Sequence, residues 1–335
     1  MFIVEKYSLA VLLCVVTMFC WGSWGNTQKL AAKTWRYELF YWDYVVGIVL
    51  FGIMSGFTLG SFGEGGRSFI PDLLQADSAN IISALIGGIV FNAANILLSA
   101  SVSLAGLAVA FPVGVGIALV LGVFVNYFNA PKGEPVTLFI GVLVIMLAII
   151  FNGIAAGKMK NKGKTGSGNK GILLAVFAGL LMAFFYRFVA ASMDLNNFES
   201  PASGMLTPYS AFFVFTMGVL VSNFLFNTII MRKPFLGEPV RYKDYFQGNF
   251  KTHLVGVLGG VIWATGTALS YIAAGKAGAA ISYALGQGAP MIAAFWGLLV
   301  WKEFKGASKQ TNIMLFFMFM FFISGLSLIV ISGGN

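Results

Sequence analysis

The sequence predicts an all-α integral membrane protein in which ten transmembrane helices form two inverted five-helix repeats. Of the 335 residues, 58% are hydrophobic and 10% are charged, with a mean hydropathy of +0.86. A soluble globular protein does not have this composition. Apolar windows of about 20 residues, the length that crosses a bilayer, recur ten times along the chain. A polar, basic loop divides these windows into two sets of five.

The first window continues through Trp21 and Trp24 without a small-residue cleavage site, so we interpret it as a retained helix and not as a signal peptide. Cys14 and Cys20 would lie about 9 Å apart along its axis, which is too far for a disulfide. The remaining windows follow at short intervals. All ten lie near residues 8–25, 39–60, 81–101, 104–128, 136–156, 172–193, 209–230, 254–275, 279–301 and 311–332.

Lysine and arginine are concentrated on one side of the predicted membrane. When successive windows alternate in direction, sixteen of these residues fall on one face and four on the other. Cytoplasmic loops accumulate positive charge, so we predict a multi-pass protein of the cell (inner or plasma) membrane with both termini outside the cytoplasm. The same loops explain the net charge of +9, which therefore does not indicate nucleic-acid binding. The four residues of the less basic face are Lys6, Arg67, Lys132 and Lys276.

The central loop from Lys158 to Lys170 marks the predicted domain boundary. Its sequence, KMKNKGKTGSGNK, is typical of a linker. We predict a first five-helix repeat over residues 1–157, a basic cytoplasmic linker over 158–170 and a second repeat over 171–335. Gly163 and Lys164 resemble part of a phosphate-binding loop, but the spacing from Gly157 is one residue too long and no strand precedes it. No cofactor is expected.

Two copies of a five-helix unit have to cross the membrane in opposite orientations, because five is an odd number. The fourth window of each half supports such a repeat: GLAVAFPVGVGIALVLG from Gly106 aligns with GAAISYALGQGAPMIAA from Gly278. Inverted repeats with interrupted helices are typical of alternating-access transporters whose site lies between the halves. The coinciding glycines are Gly106 and Gly278, Gly114 and Gly286, and Gly116 and Gly288.

The segment from Phe91 to Phe128 combines amides, glycines and a proline. Asn92 and Asn95 lie three residues apart and share one face of a helix, and lipid cannot satisfy their hydrogen bonds. Pro112 removes a backbone donor from the next window, as expected for a broken helix that lines a cavity. We predict that Asn92 and Asn95 bind substrate on one wall of a path. Close helix packing explains the same residues equally well.

Asp43 and Arg187 are the charged residues within apolar windows. A carboxylate in a membrane is a functional candidate, so we predict Asp43 as a proton-coupling residue; contact with interfacial water is the alternative. Arg187 lies about two-thirds of the way across the sixth window. It is predicted either to donate to a substrate, to pair with Asp43, or to extend to the outer surface.

Aromatic and amide side chains elsewhere could hold a small ring. We predict that Trp21, Trp263 and Gln287 bind substrate, with Trp24 and Tyr283 as further candidates. Tryptophan also serves as a packing residue or interface anchor in such proteins, and that interpretation stays open for each of them.

No enzyme active site is predicted. His253 is the only histidine and falls at a predicted helix end, where an interfacial role is expected. A single histidine excludes multi-histidine metal sites and makes a histidine-based triad within the membrane unfavourable. A non-transporting receptor or scaffold would normally carry a soluble domain, and the loops of this chain are short.

Five stretches carry a family resemblance: CWGSWGNTQKL from Cys20, WDY at 42–44, FGIMSGFTLGSFG from Phe51, the segment around Asn95, and VNYF from Val125. Together they resemble the ureide permeases of the drug/metabolite transporter superfamily and, more weakly, its sugar (glucose-ribose, rhamnose) porters. The resemblance implies a ten-helix fold and secondary active import of a small polar metabolite by symport with protons. A ureide, a nucleobase or a monosaccharide is the implied solute.

Two departures from the superfamily's patterns bear on function. Plant ureide permeases have a long central loop with a nucleotide-like motif, whereas the loop of this chain is short. Small multidrug exporters rely on a membrane glutamate in the first helix, and no glutamate occurs between Tyr7 and Gly25. The alternatives to solute import are a drug/metabolite exporter of the same superfamily and a non-transporting membrane receptor or scaffold.

Overall fold

The computed structural model describes residues 1–160 and 168–334. Within these ranges ten helical spans are long and apolar enough to cross a membrane, which confirms the predicted number. Residues 161–167 of the predicted linker lie outside the described residues. The spans are α1 (Tyr7–Ala31), α2 (Tyr37–Phe57), α4 (Ser78–Ala105), α5 (Leu107–Asn129), α6 (Pro135–Lys160), α7 (Gly168–Ala191), α8 (Pro208–Arg232), α10 (Phe250–Ala277), a ninth composed of α11 (Ala279–Gly286), α12 (Ala289–Phe295) and a π-helical end (Trp296–Val300), and α13 (Lys309–Gly333). Two short helices, α3 (Phe69–Gln75) and α9 (Tyr242–Phe246), lie in loops.

The loops fall on two faces because successive spans alternate in direction. We term the face at which α1 ends the basic face; it also carries the ends of α6 and α8 and the loop before α13. Its loops are joined by an ion pair between Lys29 and Glu303 and by a hydrogen bond from Arg36 to the Glu238 carbonyl. On the opposite face, Arg67 pairs with the buried carboxylate of Asp72 at 2.9 Å.

Two glycine contacts bring helix backbones together in the interior. A Cβ atom on Gly88 of α4 would lie 2.1 Å from the Phe215 carbonyl oxygen of α8, with Gly218 directly opposite. A Cβ atom on Gly260 of α10 would lie 2.0 Å from the Tyr44 carbonyl oxygen of α2, with Gly47 opposite. Side chains at these positions would force the helices apart, because no real Cβ contact is that short.

The main packing contacts join helices of the first five spans to helices of the last five. Helix α4 packs against α7 and α8, and α10 packs against α1 and α2. Helix α5 lies on α7, while α11 and α12 lie on α1. Helices α6 and α13 pack against each other at the edge. The site described below is enclosed by α1, α4, α5, α7, α10 and the ninth span.

The expected helix break at Pro112 is not found. Helix α5 continues through Pro112, because one missing backbone donor near the start of a helix leaves the rest of its hydrogen bonds intact. The interruption lies in the ninth span, at Gln287 and Gly288 between α11 and α12. Both fourth spans begin alike, however, since Gly106 and Gly278 have φ values of 82° and 84°, a conformation that favours glycine.

Candidate functional site

A small cavity of about 40 Å³ lies near the middle of the helix bundle. It is enclosed by helices from both halves of the chain, and its volume holds only a few water molecules. A larger solute therefore requires the surrounding helices to move apart. The lining residues are Trp21, Trp24, Asn95, Leu98, Phe111, Val115, Met182, Phe185, Trp263, Gln287 and Ala289.

Aromatic rings form most of the polarisable surface of this cavity. The Trp263 ring stacks on Phe91 with centroids 4.1 Å apart and lies parallel to Trp21 at 6.4 Å. Trp24 packs against Phe111 at 6.1 Å and against Tyr44 at 5.0 Å. Flat aromatic faces give a ring-shaped solute large contact area at low conformational cost.

Two amides supply the hydrogen-bonding groups of the cavity. Asn95 lies on α4, and its Nδ2 donates to the Tyr41 hydroxyl at 3.3 Å. Gln287 is buried at the interruption between α11 and α12, where the backbone forms a tight turn in which the Gly288 N–H donates to the Leu285 carbonyl at 3.1 Å. The indole N–H of Trp21 is engaged within the protein, since it donates to Thr267 Oγ at 3.0 Å. The amides are therefore the groups best placed to recognise a polar solute.

Two further spaces lie between the cavity and the basic face, and each shares lining residues with its neighbour. Phe111 also lines a space of about 20 Å³, which Glu303 and Phe304 close on the other side. The same two residues line a vestibule of about 470 Å³, together with Lys29. The vestibule is lined by the ends of α1, α4 and α6 and by the loop before α13.

Tyr283 of α11 is fully buried and packs beside the cavity. Its ring meets Trp21 edge-on at 6.5 Å. Its hydroxyl lies 3.1 Å from the Ala118 carbonyl oxygen and 3.2 Å from that of Met182. Tyr283 thus packs against α1, α5 and α7 beside the cavity.

The structure brings four of the predicted substrate residues together. Trp21, Asn95, Trp263 and Gln287 are all buried and line the cavity. Asn92 lies one helical turn from Asn95 and is fully buried behind it, where its Oδ1 accepts a hydrogen bond from Tyr41 at 3.1 Å.

Arg187 and Asp43 are not brought to the cavity. The Arg187 side chain is exposed near the opposite face and donates to Asn129 Oδ1 at 3.3 Å. The expectation that Arg187 contacts the solute or pairs with Asp43 therefore finds no geometric support. The reason is that hydrophobic length places a residue at a depth in the membrane but does not determine which way its helix face points.

Asp43 is buried in a separate cluster near the basic face. Its carboxylate accepts hydrogen bonds from the Tyr245 hydroxyl at 2.6 Å and from Trp35 Nε1 at 3.1 Å, and it pairs with His253 Nδ1 at 2.8 Å. Burial, and then the adjacent Asp43 carboxylate, raise the pKa of Tyr245, which lies in the loop helix α9. The cluster joins α2, α9 and the start of α10.

Sequence reasoning missed several residues of the site. Tyr41 orients the amides, and Phe91, Phe111 and Phe185 complete the aromatic wall. Tyr41 adjoins the WDY motif and is one turn from Tyr44, so its position could have indicated an inward face. The phenylalanines carry no such signal, because 33 phenylalanines are spread through the chain.

A ten-span helical membrane protein with a central aromatic and amide cavity has the architecture of a membrane transporter. The family model described as ureide permease matches residues 40–166 and 158–332 of this chain. The chain belongs to the ureide permease family, whose members are transporters rather than enzymes.

Similar proteins extend over the whole chain. Ureide permeases 1 and 2 of Arabidopsis thaliana are 23% and 24% identical, and each match covers 100% of both chains. Probable ureide permease A3 of Vigna unguiculata is 22% identical over 93% of this chain and 100% of its own. A solved crystal structure with 17% identity superposes on 96% of each chain with a TM-score of 0.61, a likeness that shows a shared fold.

Proposed function

We propose that this protein is a secondary active transporter that imports a small, neutral, ring-shaped solute of the ureide or nucleobase class by alternating access. The observation that carries the proposal is the central cavity, in which aromatic faces and two amides converge from both halves of the chain. Flat rings stack on aromatic side chains, and ureides and nucleobases carry the N–H and C=O groups that amides pair with. The names of the related ureide permeases point to the same class of solute.

Trp21, Asn95, Trp263 and Gln287 are the proposed substrate-binding residues, and Asn92 supports them from behind. The rings would cover the solute faces, while Asn95 and Gln287 would pair with its edge. A monosaccharide is the competing solute class, because sugar rings also stack on aromatic faces.

We further propose that the two halves, residues 1–157 and 171–335, are inverted repeats joined by the linker 158–170. The helix layout supports this when each span is matched with the span five positions further along the chain. Under this matching α4 corresponds to α10, and the partners of α10, which are α1 and α2, correspond to the partners of α4, which are α7 and α8. The glycine contacts support it too, because the α4–α8 contact at Gly88 has its counterpart in the α10–α2 contact at Gly260. Repeats of this kind allow one half to rock against the other and expose the site alternately.

The charge imbalance supports an orientation in which the basic face is cytoplasmic and both chain ends are outside. The vestibule lined by Lys29 and Glu303 would then open to the cytoplasm. A reporter fused to either end should be accessible from outside intact cells, and a cytoplasmic reporter would reverse this assignment.

The proposed function is tested by uptake into sealed proteoliposomes. Labelled ureides, nucleobases and monosaccharides are offered with and without an imposed pH gradient. We expect ureides or nucleobases to accumulate above the equilibrium concentration when the outside is acidic. Accumulation of sugars alone would show that the solute is a monosaccharide and not a ureide or nucleobase. Equilibration of the solute without accumulation would show facilitated diffusion and not active transport.

Proton coupling through Asp43 is proposed from its partner. The buried carboxylates of Glu38 and Asp72 each pair with an arginine. Asp43 pairs instead with His253, with Nδ1 2.8 Å from Oδ1, and histidine is the residue type that proteins use most often to carry protons. The pair lies at the starts of α2 and α10, and α10 carries Trp263 into the cavity. A proton bound there can thus be linked to the positions of α2 and of α10, the helix that brings Trp263 to the cavity.

Asp43→Asn is expected to abolish accumulation driven by a pH gradient while leaving solute exchange between the two sides of the vesicle in place. Exchange needs no net proton movement, and asparagine keeps the size of the side chain. Asp244→Asn is the matched control, because Asp244 is a carboxylate of the neighbouring helix α9 that bonds only the local Arg241 backbone N–H among the described residues. Gradient-driven accumulation by Asp43→Asn at the wild-type level would remove Asp43 from coupling.

A further inference from the structure

Four buried side chains form a continuous hydrogen-bonded relay that ends at the cavity. Ser222 Oγ lies 2.9 Å from Asn92 Nδ2, Asn92 Oδ1 lies 3.1 Å from the Tyr41 hydroxyl, and that hydroxyl lies 3.3 Å from Asn95 Nδ2. The relay runs from α8 through α4 to α2 and back to α4. Asn95 is its last member and the one that lines the cavity.

The direction of every proton in this relay is fixed by its far end. Ser222 Oγ also lies 2.7 Å from the carbonyl oxygen of Gly218, and a carbonyl can only accept. The single Ser222 proton therefore goes to its own helix, and its oxygen accepts from the Asn92 amide. This assigns Nδ2 of Asn92 to Ser222 and Oδ1 to Tyr41. The oxygen and nitrogen of an amide are distinguished by their hydrogen-bond partners.

The hydrogen-bond direction set at Ser222 extends through Tyr41 to the cavity. Tyr41 has one hydroxyl proton, which it donates to Asn92, so its oxygen is left to accept from Asn95. Only the NH₂ group of Asn95 can donate, and Nδ2 is thereby held against Tyr41. If the Asn95 amide were turned over, its oxygen would face a hydroxyl oxygen with no proton to offer, an unfavourable buried contact.

We infer that the relay makes Asn95 Oδ1 a fixed hydrogen-bond acceptor in the cavity, so that this position selects a solute with an N–H donor. Tyr41 is then a positioning residue that determines specificity without touching the solute. The buried Tyr44 hydroxyl also neighbours Asn95, but a carbonyl oxygen has two lone pairs and one remains for the solute. Gln287 carries both an N–H and a C=O group and completes the recognition of a cyclic urea or lactam edge.

This inference deepens the proposed function and rests on it for the assignment of the cavity as the binding site. The fixed acceptor at Asn95 distinguishes solutes by whether the ring position facing it carries a hydrogen-bond donor. A ring that presents N–H at Asn95 is bound, whereas a ring of the same shape with CH₂ or oxygen at that position leaves a buried acceptor unpaired. Sites built on a hydrogen bond reject analogues that lack the partner more strongly than apolar pockets reject added groups.

The test compares five-membered ring carbonyls of nearly equal shape. Imidazolidin-2-one, pyrrolidin-2-one and cyclopentanone carry two, one and no N–H groups. Their binding to detergent-purified protein is measured by tryptophan fluorescence, since three tryptophans line the cavity. We expect the wild type to bind imidazolidin-2-one about tenfold more tightly than cyclopentanone. Equal affinities, or binding of none of the three, would overturn the inference.

Two variants test the relay itself. Tyr41→Phe removes its middle member, and Ser222→Ala removes the group that sets its direction, although Ser222 does not line the cavity. Both should free the Asn95 amide to turn and should reduce the affinity ratio between the first and last probes severalfold. Ser55→Ala is the matched control, because Ser55 is a buried serine bonded to the Gly52 carbonyl of its own helix. An unchanged ratio in both relay variants would overturn the role of Tyr41.

A thermal-unfolding cycle on the same variants checks the relay without any ligand. If Tyr41 and Ser222 act through one network, the double variant should lose less melting temperature than the two single losses added together. Strictly additive losses would argue against a connected relay. These outcomes are separate from vesicle uptake: a protein that binds the N–H probes but does not accumulate them would refute the proposed transport while leaving the inferred polarity of Asn95 in place.

Discussion

Asn95→Ala is expected to lower solute uptake by about tenfold or more while leaving the amount of protein in the membrane unchanged. The substitution removes an acceptor from the cavity and leaves the Tyr41 oxygen without its donor. A lost hydrogen bond in a buried site is worth about 1 to 3 kcal/mol, and about 1.4 kcal/mol corresponds to a factor of ten. The measurement is initial uptake rate against solute concentration, normalised to the protein in the membrane.

Asn126→Ala provides the control for this experiment. Asn126 is equally buried, and its Nδ2 bonds the Gly122 carbonyl within α5, away from the cavity lining. Its removal tests the general effect of deleting a buried amide from a membrane helix. Wild-type uptake kinetics in Asn95→Ala would exclude Asn95 from the site, and equal losses in both variants would point to a folding defect.

Gly260→Ala is expected to destabilise the folded protein strongly and to lower its amount in the membrane. The added Cβ would lie 2.0 Å from the Tyr44 carbonyl oxygen and 2.9 Å from Gly47 Cα, and both are backbone atoms that cannot rotate aside. Overpacking of this kind costs about 1–3 kcal/mol or more. We expect a fall in melting temperature of about 5–10 °C in detergent. Displacement of α10 would also move Trp263 and lower uptake.

Gly157→Ala serves as its matched control, because a Cβ there meets nothing within 4 Å. Alanine favours a helix over glycine by up to about 1 kcal/mol, so this variant should be as stable as the wild type or slightly more stable. Gly88→Ala should behave like Gly260→Ala, since its Cβ would lie 2.1 Å from a backbone oxygen of α8. A wild-type melting temperature for Gly260→Ala would show that the α2–α10 contact is looser than described.

The sequence by itself determined the class of fold and the family. The ten spans follow from the length of each apolar segment, which is a local property that can be recognised within a single window of about 20 residues. Motifs such as CWGSWGNTQKL are also local, and the resemblance they carry agrees with the family match over residues 40–166 and 158–332. Trp21 and Asn95 could be selected because an amide or an indole within a membrane span needs an inward-facing partner.

Only the tertiary structure decided which of these residues meet. Asp43 and His253 are 210 positions apart and pair because α2 and α10 cross at glycines, a contact that no window of sequence contains. Arg187 was placed at the right depth by its sequence, but the packing of α7 turns it outward to Asn129. The interruption at Gln287 likewise depends on neighbouring helices and could not be distinguished from Pro112 by composition.

The polarity of Asn95 is the clearest case of a property that lies beyond the sequence. An amide offers both a donor and an acceptor, and nothing in its own helix determines which one faces the cavity. That choice is made by Ser222 and Tyr41, which come from two other helices. Length and hydropathy act through the surrounding lipid and can be recognised one span at a time, whereas hydrogen-bond direction is set by partners that only folding brings together.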